Sequence, residues 1–362
     1  MSTFKTKAYG ATGTILVGKS LEEMEVERQE PKEDEVVIEV LYCGVCHSDV
    51  HQVANDWKNT IYPCVPGHEV IGKITKTGYA VTDFKVGETV GVGCMIDSCK
   101  QCEACKEHEE QFCQGPVGPT MTYNGYFRPK DKSFNTFGGY STHIVTNKEF
   151  LLHIPESLDI SKAAPILCAG VTTFSPLHHW NVKEGDVVGV AGIGGLGHMA
   201  VMIAKAMGAK VIAITTKEEK REAALALGAD EVLVSEDKEA MESYEKKMNY
   251  ILVTIPDSFD INPYICLLKW RGSLVTVGLL ANYKSATNNM EVAKYARTVG
   301  GSLIGGIKET QQVLDFCAEH NILPQVEMIN IQDINDAFDK MKDEDVRFRY
   351  VIDMASLKTA AN

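Results

Sequence analysis

Four cysteines, Cys99, Cys102, Cys105 and Cys113, stand in the run C-K-Q-C-E-A-C-K-E-H-E-E-Q-F-C. The spacing C-x2-C-x2-C-x7-C lets four thiolates wrap one tetrahedral ion inside a single short lobe. A ferredoxin-type cluster motif has three residues before its last Cys and a Pro after it. Here the gap is seven and Gln114 follows, so zinc is expected. A site closed by four sulfurs keeps no position for substrate, which makes this zinc structural. Cys46, His68 and the distant Cys168 offer a second set: sulfur, nitrogen, sulfur. Three donors leave a fourth position open for water or substrate, as a catalytic zinc requires. Spacing alone does not bring Cys168 to the other two. Cys43 and Cys46 also form C-x-x-C, but a redox dithiol wants a thioredoxin-like helix start that the preceding strand pattern does not give. Cys64, Cys94, Cys266 and Cys317 stand apart from both sets and read as small buried hydrophobes.

Gly192-Ile193-Gly194-Gly195-Leu196-Gly197 is G-x-G-x-x-G, between an apolar strand pattern and a helix pattern. In that context Gly192 makes the tight turn, Gly194 admits a pyrophosphate and Gly197 lets helix and strand pack closely. The helix start supplies N–H groups and positive potential for phosphates. A site for NAD wants Asp or Glu about 20 residues on, for the ribose 2′-hydroxyl. Positions 213–217 hold none; Thr215, Thr216 and Lys217 are there, with Lys220 and Arg221 following. Hydroxyls and cations welcome a 2′-phosphate that a carboxylate would repel, so NADP(H) is expected. Glu218 and Glu219 lie next to them, and a solvated helix face is the competing reading of Lys220 and Arg221.

These residues need scaffolds. Residues 36–42 and 70–76 read as strands in a β-rich first part reaching to about residue 150. From Val187 strands alternate with helices, V-V-G-V-A, then V-I-A-I-T, E-V-L-V, Y-I-L-V-T and S-L-V-T-V. That rhythm predicts a parallel, doubly wound sheet. It weakens after about residue 293, and a final strand pattern near the end suggests a return to the first domain.

The chain has 362 residues, 44% hydrophobic and 23% charged, enough for two domains. A net charge of −13 disfavours nucleic acid and anionic membrane surfaces as partners. The opening residues lack the apolar core of a signal peptide. The nearly uncharged stretch 187–204 reads as strand plus helix rather than a membrane span, given its glycines. With eleven cysteines and no such leader, a reducing cytoplasm is expected, with thiols serving metals.

The chain resembles the zinc-dependent medium-chain alcohol dehydrogenases, in their cinnamyl alcohol dehydrogenase-like branch. The resemblance rests on C-G-V-C-H-S-D-V-H (43–51), G-H-E-V-I-G-K-I-T-K-T-G (67–78), the four-cysteine lobe, P-I-L-C-A-G-V-T-T-F-S-P-L (165–177), the glycine turn and V-R-F-R-Y-V-I-D near the end. It implies α/β plus β architecture. A GroES-like, partly open β-barrel catalytic domain would comprise residues 1–155 and 294–362, and a Rossmann domain residues 156–293. It implies two Zn2+ per chain, the catalytic ion on Cys46, His68 and Cys168 with Glu69 beside it, and Asp49 orienting His68. It implies that Ser48 contacts the reacting oxygen and His51 ends a proton relay, with His47 near the pyrophosphate. It also implies coenzyme contacts at Thr172, Thr254, Gly278, Ser302, Leu303 and Ile304, and 2′-phosphate contacts at Thr215, Thr216 and Lys220. Relatives typically carry Ser where this chain has Thr. Trp57, Cys94, Met95 and Leu280 are candidate pocket walls. The expected activity is NADP(H)-dependent interconversion of primary alcohols and aldehydes by hydride transfer, mainly aldehyde reduction, in a homodimer or tetramer. The alternatives are a polyol or sorbitol-type NAD-dependent dehydrogenase and a zinc protein without catalysis.

Overall fold

The structure, a computed structural model, describes residues 2–13, 21–277, 281–342 and 348–359. Two compact units emerge: Met1–Cys168 with Gly305–Asn362, and Ala169–Ile304.

In the first unit the strand Glu35–Val45 is the organiser. Its β-branched run V-V-I-E-V suits a pleated, largely buried position. It pairs antiparallel with Val70–Thr77 on one side and with Arg349–Asp353 and His143–Asn147 along its length. The C-terminal strand Arg349–Asp353 is thus built into the N-terminal sheet. Val326–Asn330 extends that edge in parallel, and Thr89–Val92 and Leu152–His153 extend the other. Residues from both ends of the chain share one core, among them Val36, Ile38, Val70, Tyr140, Phe338 and Ile352.

The second unit is a six-stranded parallel sheet. Its order runs Glu231–Val234, Lys210–Thr215, Val187–Ala191, Met248–Val253, Leu268–Val277, Thr298–Ser302. The order reverses beside the first strand, and ligands of such sheets bind at the carboxyl ends there. The sixth strand, T-V-G-G-S, lies beyond residue 293, where the alternation is too weak to read in the sequence. Its glycines remove the β-branched signature while its backbone still pairs with Leu268–Val277. The unit boundaries fall after Cys168 and Ile304 rather than after residues 155 and 293. At the first boundary the turn Ala164–Leu167 is fully buried in the first unit, where Leu167 packs on Gly91 and Gly93.

No helix of the described residues is long and apolar enough to cross a membrane. The stretch 187–204 forms a strand, Val187–Ala191, and most of a helix, Gly197–Ala206.

Candidate active site

The strand Glu35–Val45 ends one residue before Cys46, and the helix His47–Ala54 starts one residue after it. Cys46 caps that helix in an extended conformation, and the Asp49 carboxylate accepts its backbone N–H at 2.9 Å. The cap turns Ser48 and His51, three residues apart, toward one side of the helix. Asp49 is fully buried, and its other oxygen accepts from His68 Nδ1 and Gly67 N, each at 3.1 Å. A carboxylate on Nδ1 fixes the tautomer and leaves the Nε2 lone pair free for a metal. His68 Nε2 lies 3.3 Å from Cys168 Sγ. The donor atoms of Cys46, His68, Glu69 and Cys168 all lie within 4.8 Å of one another, and all four residues are buried.

That donor set fits zinc. Tetrahedral bonds of about 2.3 Å to sulfur and about 2.0 Å to nitrogen hold those atoms roughly 3.5 Å apart. A thiol–thiol hydrogen bond holds Cys46 well below the ordinary thiol range and Cys168 well above it. Burial works most strongly against a charged His68, but the Asp49 carboxylate together with the Cys94 and Cys46 thiols raises the imidazole well above its usual value. Glu69 Oε1 pairs with Arg349, whereas Oε2 is buried without a hydrogen-bond partner, an open lone pair beside the sulfurs. Burial pushes the Glu69 carboxyl up to about 8 while Arg349 pulls it down. Burial also lowers Arg349, but Glu69 and the thiols Cys46 and Cys168 hold it above its usual value.

Arg349, Tyr140 and Cys94 join this site without a signal in local spacing. Arg349 arrives on the C-terminal strand. The Tyr140 hydroxyl points at Asp49 Oδ2, 3.3 Å away. Cys94, set aside by the sequence as standing apart, hydrogen-bonds to the Cys168 thiol, which pulls its own pKa down. Cys43, the other half of C-x-x-C, is fully buried with its pKa driven up by burial, and it stands outside the donor set. His51 Nδ1 bonds Asp56 at 2.8 Å and its side chain is 43% exposed, open to water. His47 Nε2 meets the Met341 carbonyl at 3.2 Å.

In the four-cysteine lobe, Cys99, Cys102, Cys105 and Cys113 likewise bring their sulfurs within 4.8 Å of one another. Cys102–Cys105 and Cys99–Cys105 separations of 3.5 and 3.9 Å bracket the ~3.8 Å of sulfurs around one zinc. Backbone N–H groups of Cys105 and Gln114 bring Cys102 down to about 6, favouring the thiolate a metal needs.

In the second unit the glycine turn follows the strand Val187–Ala191. Gly192 has φ +93°, the left-handed region. A Cβ on Gly197 would stand 1.9 Å from the Gly192 carbonyl oxygen, whereas one on Gly194 would meet nothing within 4 Å. The turn is thus packed on one side and open on the other, as a pyrophosphate cradle requires. Thr254 Oγ1 donates to the Gly192 carbonyl at 2.8 Å, so its hydroxyl supports the turn. Lys220 extends to that turn, Nζ donating to the Ile193 carbonyl at 3.4 Å. Arg221 instead forms a two-pronged pair with Glu218, the solvated arrangement. Thr215 Oγ1 accepts from Lys217 N at 3.2 Å, and Thr216 and Lys217 are exposed. Thr172 is buried in the helix Ala169–His179, and Ser302 ends the sixth strand, with Leu303 and Ile304 following it. Trp57 is half-buried and Met95 buried, while Gly278 and Leu280 lie outside the described residues.

Residues 32–156 match the family model of the alcohol dehydrogenase GroES-like domain, and residues 195–319 that of zinc-binding dehydrogenases. Aldehyde reductase YahK of Escherichia coli is 45% identical over 348 residues, 96% of this chain and 98% of the relative. A probable mannitol dehydrogenase of Medicago sativa is 43% identical, covering 97% of this chain and 96% of its own. The crystal structure of a cinnamyl alcohol dehydrogenase from Helicobacter pylori complexed with NADP(H) superposes with a TM-score of 0.88 at 38% identity. It covers 98% of this chain and 99% of that one. Two metal-type donor sets and a nucleotide-type sheet thus define a dehydrogenase of the zinc-binding class. The chain belongs to the zinc-binding alcohol dehydrogenase family, oxidoreductases of alcohols and aldehydes.

Proposed function

We propose that this chain reduces aldehydes to primary alcohols with NADPH, and runs the reverse reaction with NADP+. The observation that carries the coenzyme choice is the end of the strand Lys210–Thr215. No carboxylate stands there, and Lys220 reaches back to the glycine turn. The NADP(H) bound by the Helicobacter relative and the reductase name of the Escherichia relative support it.

Cys46, His68 and Cys168 would hold the catalytic zinc, with Glu69 at its side, and the four-cysteine lobe a structural one. When bound, the catalytic ion would polarise the carbonyl and the nicotinamide would carry the hydride. Asp49 holds the imidazole of His68 in the ligating tautomer. Ser48 Oγ gives its proton to the substrate oxygen as the carbonyl is reduced. His51, on the same side of the helix and open to solvent, restores that proton, with Asp56 accepting at Nδ1. Gly192 to Gly197 cradle the pyrophosphate, with Thr172, Thr254 and Ser302 to Ile304 as coenzyme contacts. Thr215, Thr216, Lys217 and Lys220 receive the 2′-phosphate.

The test is kcat/KM for NADPH and NADH with benzaldehyde, in the wild type and in Thr216→Asp. A new carboxylate against the 2′-phosphate costs several kcal/mol, so the NADPH:NADH ratio is expected to fall by about 100-fold or more. An unchanged ratio would remove the phosphate site. Polyol oxidation is the second reading, supported by the mannitol dehydrogenase name of a relative. Mannitol turnover with NAD+ exceeding benzaldehyde turnover with NADPH would favour it. A cytoplasmic homodimer, with a tetramer as the larger alternative, completes the proposal. Cysteines free of disulfides support the reducing setting. The outer strand Thr298–Ser302 offers an edge on which a second copy could pair. Light scattering in solution decides the assembly.

A further inference from the structure

Arg28, on the strand Glu22–Gln29, is 9% exposed. Among the described residues it forms no ion pair with a carboxylate. A buried guanidinium without a counter-charge is costly, and Nε here has no hydrogen-bond partner, so Nη2 carries the compensating bonds. Its Nη2 donates to Ser141 Oγ at 2.7 Å, the Phe137 carbonyl at 2.9 Å and the Gly138 carbonyl at 3.3 Å. The segment so gripped lies against the residues leading into His68. Gly138 N donates to Val65 O and Gly139 N to Gly67 O, both at 2.8 Å, and Tyr140 N to Pro66 O at 3.0 Å. The fit has no slack, because a Cβ on Gly138 would come within 2.3 Å of the Pro66 carbonyl oxygen. The same segment places the fully buried Tyr140 hydroxyl against Asp49, the carboxylate that holds His68 Nδ1.

We infer that Arg28 is a positioning residue for His68: its cation clamps the Phe137–Ser141 segment, which fixes the backbone of Val65–Gly67 and the Asp49 carboxylate, and so aims the imidazole. The inference rests on the reading of His68 as a zinc ligand. Partners that orient a ligating histidine change metal affinity by about 10- to 100-fold when removed. Arg28→Met keeps the stem and removes charge and donors, whereas Arg28→Lys keeps the charge and one donor group. Three quantities decide: the rate at which a chelator takes the catalytic zinc, the visible spectrum of the cobalt-substituted protein, and Tm. Arg28→Met is expected to release zinc about 10-fold faster or more and to shift the cobalt bands, with Arg28→Lys in between. A merely structural Arg28 would lower Tm and leave the cobalt bands in place, which would overturn the inference. If Arg28→Met does not fold, Ser141→Ala, which removes one gripped acceptor, must show the same shift in smaller degree. Wild-type bands and zinc release there would overturn it as well. His68→Ala separates the two readings. Full zinc content in that variant would remove the ligand assignment, whereas lost zinc there with wild-type behaviour in Arg28→Met would remove only the clamp.

Discussion

A hydrogen atom is all that position 44 can carry. A Cβ there would lie 1.9 Å from Glu69 Oε2, so the second residue of C-G-V-C is set by a carboxylate 25 residues further along the sequence. Glu69 has nowhere cheap to go, because its other oxygen is paired with the buried Arg349. Gly44→Ala is therefore expected to push Glu69 off Arg349 and disturb the neighbouring donors. Breaking a buried ion pair by losing one partner costs about 3–5 kcal/mol. Denaturant unfolding of Gly44→Ala should show a loss approaching that range, and metal analysis should show the catalytic zinc depleted while the four-cysteine lobe keeps its own. Unchanged stability with full zinc content would mean that Glu69 relaxes freely, and the cradle would have no role.

At the scale of elements, the turn between the strand Val187–Ala191 and the helix Gly197–Ala206 separates folding from binding within a few residues. Gly197→Ala drives a methyl into the Gly192 carbonyl, so it is expected to cost about 1–3 kcal/mol as overpacking and to lower Tm. Gly194→Ala meets no protein atom, so Tm should hold, while the methyl enters the proposed pyrophosphate cradle and is expected to weaken NADPH binding about tenfold or more. Thermal melts and coenzyme fluorescence titrations of the pair check both halves, and a Gly194→Ala protein with wild-type affinity would place the phosphates elsewhere. This turn was legible in the sequence because its chemistry is contiguous, as was that of the four-cysteine lobe. The catalytic set was legible only in pieces. Cys46, Asp49 and His68 are joined by a helix cap and one carboxylate, but Cys168 reaches His68 across 100 residues, a contact that spacing alone does not encode. Arg349 and Tyr140 were not legible. They come to Glu69 and Asp49 through sheet pairing and a buried segment, 280 and 91 residues away in the chain. Cys94 looked like an isolated apolar thiol for the same reason, and the sixth strand was hidden by its two glycines.

Across the whole molecule, the metal donors and the nucleotide turn belong to different compact units, each with its own core. All eight metal-type donors lie in the first unit, and the glycine turn and Lys220 lie in the second. Ligand energy should therefore be distributed unequally. Binding zinc to four thiolates contributes on the order of 10 kcal/mol to the segment that it folds, so removing it must destabilise the first unit. The cradle proposed in the second unit offers phosphates backbone N–H groups and Lys220, none of which needs an ion. A strong chelator is accordingly expected to abolish aldehyde reduction and to lower the melting transition of the first unit, while NADPH still binds with an affinity within a few-fold of the untreated protein. Calorimetry and coenzyme fluorescence on the same chelated sample read the two effects separately. If NADPH binding disappeared together with the zinc, the turn at Gly192–Gly197 would not be a self-sufficient site, and the division of labour between the units would have to be abandoned.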